Sequence, residues 1–219
     1  AYETGEGVAQ SWPDAVLLYR AAAGQGNAQA QCNLGWCYEF GKGVPQDAKA
    51  AARWYGEAAL QRDPRAECCL AICYTNGTGV AADPVRAVQL YTLSAQAGFV
   101  PAMRNLAQMY HLGRGTAKNE NAALAWYQKA AAQDDARALF MCGQFYEKGY
   151  GAAVDAARAA EFYLRAAKLC YAPAEACYAI CLETGRGVVQ NQLEAVLWYT
   201  RAARQGDAQA QFALAVCYE

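Results

Sequence analysis

The chain lacks most of what a chemical active site would use. Its 219 residues hold one histidine, His111, so no metal site can be built on several imidazoles. It has two serines, Ser11 in SWPD and Ser94 in SAQA, and neither sits in the S-x-x-K arrangement that activates an acyl-accepting serine. No two cysteines are spaced C-x-x-C, which removes the usual zinc pattern. Asp134 and Asp135 lie in a turn between helical stretches, where helix capping accounts for at least one of them. No apolar run approaches the length of a membrane span, and no signal peptide is visible at the start. Neither charge sign dominates: 19 basic and 20 acidic residues give a net charge of −1, against the basic excess of a nucleic-acid binder. There is no β-rich stretch and no linker.

What the chain has is a phrase that returns. "YEFGKGVPQDAKAAARWY" from Tyr38 reappears as "YTNGTGVAADPVRAVQLY" from Tyr74, "YHLGRGTAKNENAALAWY" from Tyr110 and "YEKGYGAAVDAARAAEFY" from Tyr146. A copy from Leu182 follows, and the first begins at Tyr2. The step is a constant 36 residues without an insertion, so period governs the reading before any motif does. A small-residue column runs Ala30, Ala66, Ala102, Ala138, Ala174, Ala210; one turn on come Leu34, Leu70, Leu106, Cys142, Tyr178, Leu214. The spacing from Ala30 to Leu34, Cys37 and Tyr38 is that of an amphipathic helix, helix A, expected over 28–40.

Two glycines follow it, Gly41 and Gly43, and recur in every unit, placing a turn that needs positive φ. This G-x-G lacks the further glycine or GK[ST] of a phosphate loop. Ser11, Asp47, Asp83, Asn119, Asp155 and Asn191 then form a column of N-cap residues. They open helix B, expected over 48–61, whose face alternates small and aromatic residues: Ala51, Trp54, Tyr55, Ala58, Ala59. A second cap column, Asn27, Asp63, Asp135 and Asp207, opens the next helix A; Phe99 and Tyr171 interrupt it, and looser starts are expected there. A single hairpin cannot bury its apolar face, so neighbours stack. The fold class is all-α: an α/α superhelical solenoid of antiparallel hairpins with a 36-residue period. It is read as one array over 1–219, with full units 28–63, 64–99, 100–135, 136–171 and 172–207 and partial units 1–27 and 208–219.

The ten cysteines follow the repeat. Cys37, Cys73, Cys181 and Cys217 share a column with Met109 and Phe145, which marks an apolar packing position. Buried free thiols are the first reading and disulfides between helices, such as Cys170 with Cys177, the second; free thiols favour the cytoplasm, bridges a secreted or periplasmic setting. The opening AYETGEG is read as a trimmed or processed product, and the last segment, QFALAVCYE, as a helix A that leaves Phe212, Leu214, Val216 and Cys217 open. Either a longer array or end-to-end association of copies would cover them.

The unit AQAQCNLGWCYEFGKGVPQDAKAAARWYGEAALQRD resembles the Sel1-like repeat, a 36-residue relative of the tetratricopeptide repeat, through Ala30, Leu34, Gly35, Tyr38, Gly41, Gly43, Val44, Ala51, Trp54, Tyr55, Ala58 and Ala59. Departures are Leu182 for the helix A tyrosine, and Cys142 and Tyr178 for its leucine. The resemblance implies a scaffold that binds a protein or peptide, not an enzyme; the charge balance, the lack of a long apolar run and the residue inventory add the expectation of no nucleic acid, no membrane insertion and no cofactor. An architectural or self-assembling array without a peptide ligand is the alternative; a penicillin-binding or hydrolytic activity, linked to cysteine-rich relatives, is the minor one. The resemblance also implies that helix A lines a concave surface. Positions 29, 32, 36, 39 and 40 and their repeats are expected to point away from Ala30, Leu34 and Cys37. The candidate ligand-binding residues on that face are Trp36, Phe40, Arg65, Ile72, Arg104, Gln108, His111, Arg137, Phe140, Gln144 and Glu147. Trp36 and Phe40 are the aromatic anchors, and Arg65, Arg104 and Arg137 suit carboxylates or carbonyls of a bound chain. Trp36 has a second reading, packing against the partial first unit.

Overall fold

The computed structural model describes residues 11–218, the side chain of Tyr218 excepted. The copy expected to begin at Tyr2 starts outside them. Twelve α-helices and no strand occur among the described residues. They fall into two compact units, Ala1–Ala117 and Lys118–Glu219, taken in turn.

The first unit holds α1 (Trp12–Gly24), α2 (Ala28–Phe40), α3 (Ala48–Leu60), α4 (Pro64–Asn76), α5 (Pro84–Gln96) and α6 (Val100–Leu112). Helices A are α2, α4 and α6; helices B are α1, α3 and α5. The hairpins α2–α3 and α4–α5 pack tightly, and each helix B also meets the next helix A. The cap columns set the starts. Asp47 accepts from the amides of Lys49 and Ala50 at 2.9 and 3.0 Å, and Asn27 and Asp63 accept from Ala30 and Ala66 at 2.8 Å. Each such cap stabilises by ~1 kcal/mol. Helix B ends one residue before the expected Gln61, which becomes the C-cap.

Phe99 gives α6 no side-chain cap hydrogen bond, as the break in the cap column implies. α6 begins in register because the Phe99 carbonyl accepts from Ala102 and Met103 at 3.1 and 3.2 Å and Pro101 presets the first turn.

The G-x-G pair divides its labour. Gly41 ends α2 in the left-handed region at φ +64, its amide turned back to the Cys37 carbonyl. Gly79, the second glycine of the next copy, packs backbone to backbone on the start of α3: a Cβ there would lie 2.0 Å from the Ala48 carbonyl oxygen. This turn therefore seats one repeat on the helix B of the repeat before it. The helix A column Gly35, Ala71, Ala107 is small because the helix B tyrosine lies against it; a Cβ on Gly35 would come within 2.7 Å of the Tyr55 ring.

The second unit holds α7 (Glu120–Ala131), α8 (Ala136–Lys148), α9 (Ala156–Lys168), α10 (Ala172–Thr184), α11 (Gln192–Arg204) and α12 (Ala208–Tyr218). The same devices return: Asp135 and Asp207 cap α8 and α12 at 2.8 Å, and a Cβ on Gly187 would lie 2.0 Å from the Ala156 carbonyl oxygen. Tyr171, like Phe99, leaves the start of α10 in register, its carbonyl accepting from Ala174 and Glu175. Asp134 does not cap; it takes φ +54 beside the turn and pairs with Arg165 at 3.3 Å.

All ten cysteines are free. Cys37, Cys73 and Cys181 are buried with Met109 and Phe145, as an apolar column should be, while Cys217 is exposed.

Candidate interaction surface

In the first unit, α2 presents Trp36 and Phe40 one turn apart, with ring centroids 5.2 Å apart. Trp36 is half-buried because its other side meets Trp12 of α1 at 5.5 Å, so it packs against the preceding helix as well as flanking the surface. Phe40 is 54% exposed.

Between α4 and α6 lies a groove of about 260 Å³. Ile72, Met109 and Leu112 supply its apolar lining; Asn76, Asn105, Gln108 and Arg114 supply its polar groups, and Tyr91 of α5 lies behind them. Ile72 and Gln108, both expected on this face, thus meet in one cavity. Burial pushes the Tyr91 hydroxyl up to about 12, so it stays protonated; the Thr75 hydroxyl lies 3.3 Å away.

The remaining candidates of this unit lie elsewhere. Arg65 stands in the first turn of α4, roughly 10 Å along the helix from Ile72, and donates to Asn33 Oδ1 at 3.0 Å. It lines a separate surface cavity of about 400 Å³ with Cys32, Asp63 and Phe99. Arg104 is half-buried beside Cys68, and His111 is half-buried in α6.

In the second unit, Arg137 is exposed in the first turn of α8 and Gln144 is half-buried. Phe140 is turned into the packing, with its ring 5.5 Å from Tyr171 and 5.8 Å from Tyr163. Glu147 accepts from the Tyr163 hydroxyl at 2.7 Å and pairs with Arg186; these residues border a cavity of about 120 Å³.

Two columns differ from expectation. Cys32, Cys68 and Ala176 are buried, and Phe140 is half-buried; Cys32 packs among Ala51, Ala52 and Tyr55 of α3, and Cys68 lies against Asn105 of the next helix A. Where position 39 is a glutamate, it accepts from the helix B tyrosine sixteen residues on. Tyr55 donates to Glu39 at 2.5 Å and Tyr199 to Glu183 at 2.6 Å, repeating the Tyr163–Glu147 bond. A buried hydroxyl needs a partner, and this column provides one. The constant spacing of tyrosine and acid was the available signal. Asn105 and Arg114 were also missed, since neither belongs to the columns expected on the face.

For catalysis the arrangement offers little. Ser94 is fully buried and donates to the Pro64 carbonyl at 2.5 Å, and Ser11 caps α1. Among the described residues no three His, Cys, Asp or Glu side chains gather as a metal ion would require, and no helix is long and apolar enough to cross a membrane.

The groove, the stacked hairpins and the repeat register can be set against known proteins. The family model described as Sel1 repeat matches residues 1–27, 28–63, 64–99, 100–135, 136–169, 174–207 and 208–219. A protective antigen present in uropathogenic Escherichia coli strains, displaying an SLR fold, superposes with a TM-score of 0.91 at 32% identity, over 99% of this chain and 46% of the antigen's. This chain therefore spans about half of that protein. A Sel1 repeat protein from Oxalobacter formigenes superposes with a TM-score of 0.81 at 33% identity, over 89% of this chain and 78% of its own. Among curated proteins no sequence matches. Sel1 repeat proteins are generally protein-interaction scaffolds, and their fold is generally non-catalytic. With the repeat matched from end to end, the chain belongs to the Sel1 repeat family.

Proposed function

We propose that this chain is a non-catalytic scaffold that holds a peptide or protein segment on its helix A surface. The observation that carries the reading is the α4–α6 groove of about 260 Å³, which joins an apolar lining to primary amides. The exposed Gln108 amide offers a donor and an acceptor, complementary to a peptide group, while Asn105 Nδ2 is turned to Cys68 Sγ. Ile72, Met109 and Leu112 would take an apolar side chain, and Arg114 a carboxylate. The exposed Phe40 of α2 is the aromatic anchor on the same unit.

The test starts from a displayed library of random peptides selected on the parent chain. Enriched peptides are titrated by fluorescence anisotropy against the parent and against Ile72→Ala/Gln108→Ala, after confirming equal melting. At least roughly ten-fold weaker binding by the variant is expected, the scale of losing a central contact. Equal binding by both would remove the groove from the reading.

A further inference from the structure

We propose that Cys32 and Cys69 form a reversible disulfide between the helices A of successive repeats, made by reaction with a hydroperoxide. The argument begins with register. Residue 32 of one helix A meets the residue 37 positions later on the next: Asn105 Nδ2 lies 3.9 Å from Cys68 Sγ. One repeat earlier the same register brings two thiols together, Cys32 and Cys69, within hydrogen-bonding reach of each other. Cys32 is 2% exposed, in a cluster with Ala51, Ala52 and Tyr55, and the half-buried Cys69 packs against that cluster. The later copies of this pair, Cys68 with Asn105 and Phe140 with Cys177, do not offer two sulfurs.

The surroundings divide the roles. The hydrogen bond from Cys32 holds the Cys69 thiol below its ordinary range, and Arg65 acts in the same sense, against burial and the Glu39 carboxylate. Cys32 is pushed up by that same bond and by burial. Elsewhere thiols are pushed up chiefly by burial: Cys68, with Cys69 adding to it, and Cys142, each to about 12. Cys69 is also the more exposed of the two, half-buried against the 2% exposure of Cys32, and so takes the role of nucleophile with Cys32 as the resolving thiol. A cavity of about 400 Å³ lined by Cys32, Arg65 and Asp63 opens beside the pair, and Cys69 is itself only half-buried.

The chemistry balances in two steps. The Cys69 thiolate attacks the terminal oxygen of the hydroperoxide; the O–O bond breaks, the alkoxide leaves as the alcohol after taking a proton, and Cys69 becomes a sulfenic acid. The Cys32 sulfur then gives up its proton and attacks Cys69; the S–O bond breaks, water leaves and the S–S bond forms. Two thiols lose two electrons and two protons, and the hydroperoxide is reduced to alcohol and water. The product ties α2 to α4, so oxidation would fix the relative placement of two helices A in the first unit.

The full chain is treated with hydrogen peroxide under native conditions, alkylated, and digested without reduction for mass spectrometry. A peptide linking Cys32 to Cys69, released by dithiothreitol, is expected. Cys32→Ser keeps a hydroxyl donor but cannot resolve the sulfenic acid, so dimedone should label its Cys69 at least about ten-fold faster than Cys68 or Cys142. Circular dichroism checks that this variant, and Cys32→Ala beside it, remain folded; neither should yield the link. The proposal is overturned if the link is missing while exposed Cys170 and Cys217 are oxidised. Links scattered to Cys68 or Cys73, or Cys69 labelled no faster than Cys68, would overturn it equally.

Discussion

Gly79 has two independent reasons to be glycine. Its φ of +74 is costly for a side chain, and a Cβ would lie 2.0 Å from the Ala48 carbonyl oxygen and 3.0 Å from the Lys49 amide nitrogen. Backbone cannot swing aside as a flexible side chain can, so the turn would have to lift off α3. Gly98 separates the two effects, since its φ is +90 but no atom lies within 4 Å of its Cβ position. Gly98→Ala should therefore cost about 1 kcal/mol from backbone strain alone, and Gly79→Ala at least roughly 2 kcal/mol, nearer the scale of overpacking. Urea denaturation of both variants beside the parent reads the difference. Equal costs would mean that the seat of the turn on the preceding helix contributes nothing.

Helices A carry a feature that period analysis passes over: a carboxylate buried near their first turn. Glu67 of α4 is 2% exposed beside Arg62 at 3.5 Å; Glu175 of α10 is fully buried beside Arg201 at 3.3 Å, and Gln205 donates to it at 2.6 Å. Burial raises both carboxyls above the ordinary range, and the cationic partners only partly offset it. The folded chain thus binds these protons more tightly than the unfolded chain. The stabilisation from that binding is complete below the unfolded value, about 4.3, and is lost as pH rises through the raised folded value. Glutamine already fills the position in α2, where Gln31 accepts from Gln61 at 2.7 Å. Glu175→Gln should accordingly raise the melting temperature by roughly 2–4 °C at pH 7, with the gain shrinking towards pH 4. Thermal melts at both values check this, and a gain that does not depend on pH would contradict it.

The same helices show what the sequence made legible and why it stopped there. Bounds such as Ala28–Phe40 were readable because caps and glycines mark them chemically. At Phe99 and Tyr171 the missing side-chain cap was legible, but not that backbone carbonyls and a proline keep those helices in register. Of the candidate face, Ile72 and Gln108 converge while Phe140 turns inward and Arg65 stands at the other end of α4 from the groove's Asn76. A helical wheel assigns directions around one axis. It carries no information on how closely the neighbouring helix A approaches, and that distance decides whether position 32 meets water or a thiol.

At the scale of the whole molecule, a repeat protein spreads its stability over local units and near-neighbour interfaces instead of one shared core. The recurring contacts fit that description: Gly79 reaches the helix B 31 residues before it and Gly187 reaches Ala156 at the same separation, so each turn joins only successive repeats. Damage at one turn should then remain near it. In native-state hydrogen exchange, Gly79→Ala is expected to speed exchange in α3 and α4, which its seat joins, while amides of α10 and α11 keep parental rates. The matching substitution Gly187→Ala should reverse the pattern, sparing α3 and α4 and exposing α9 and α10. If either variant raised exchange uniformly in α3 through α11, the chain would be unfolding as one cooperative body, and the near-neighbour description drawn from its 36-residue period would fail.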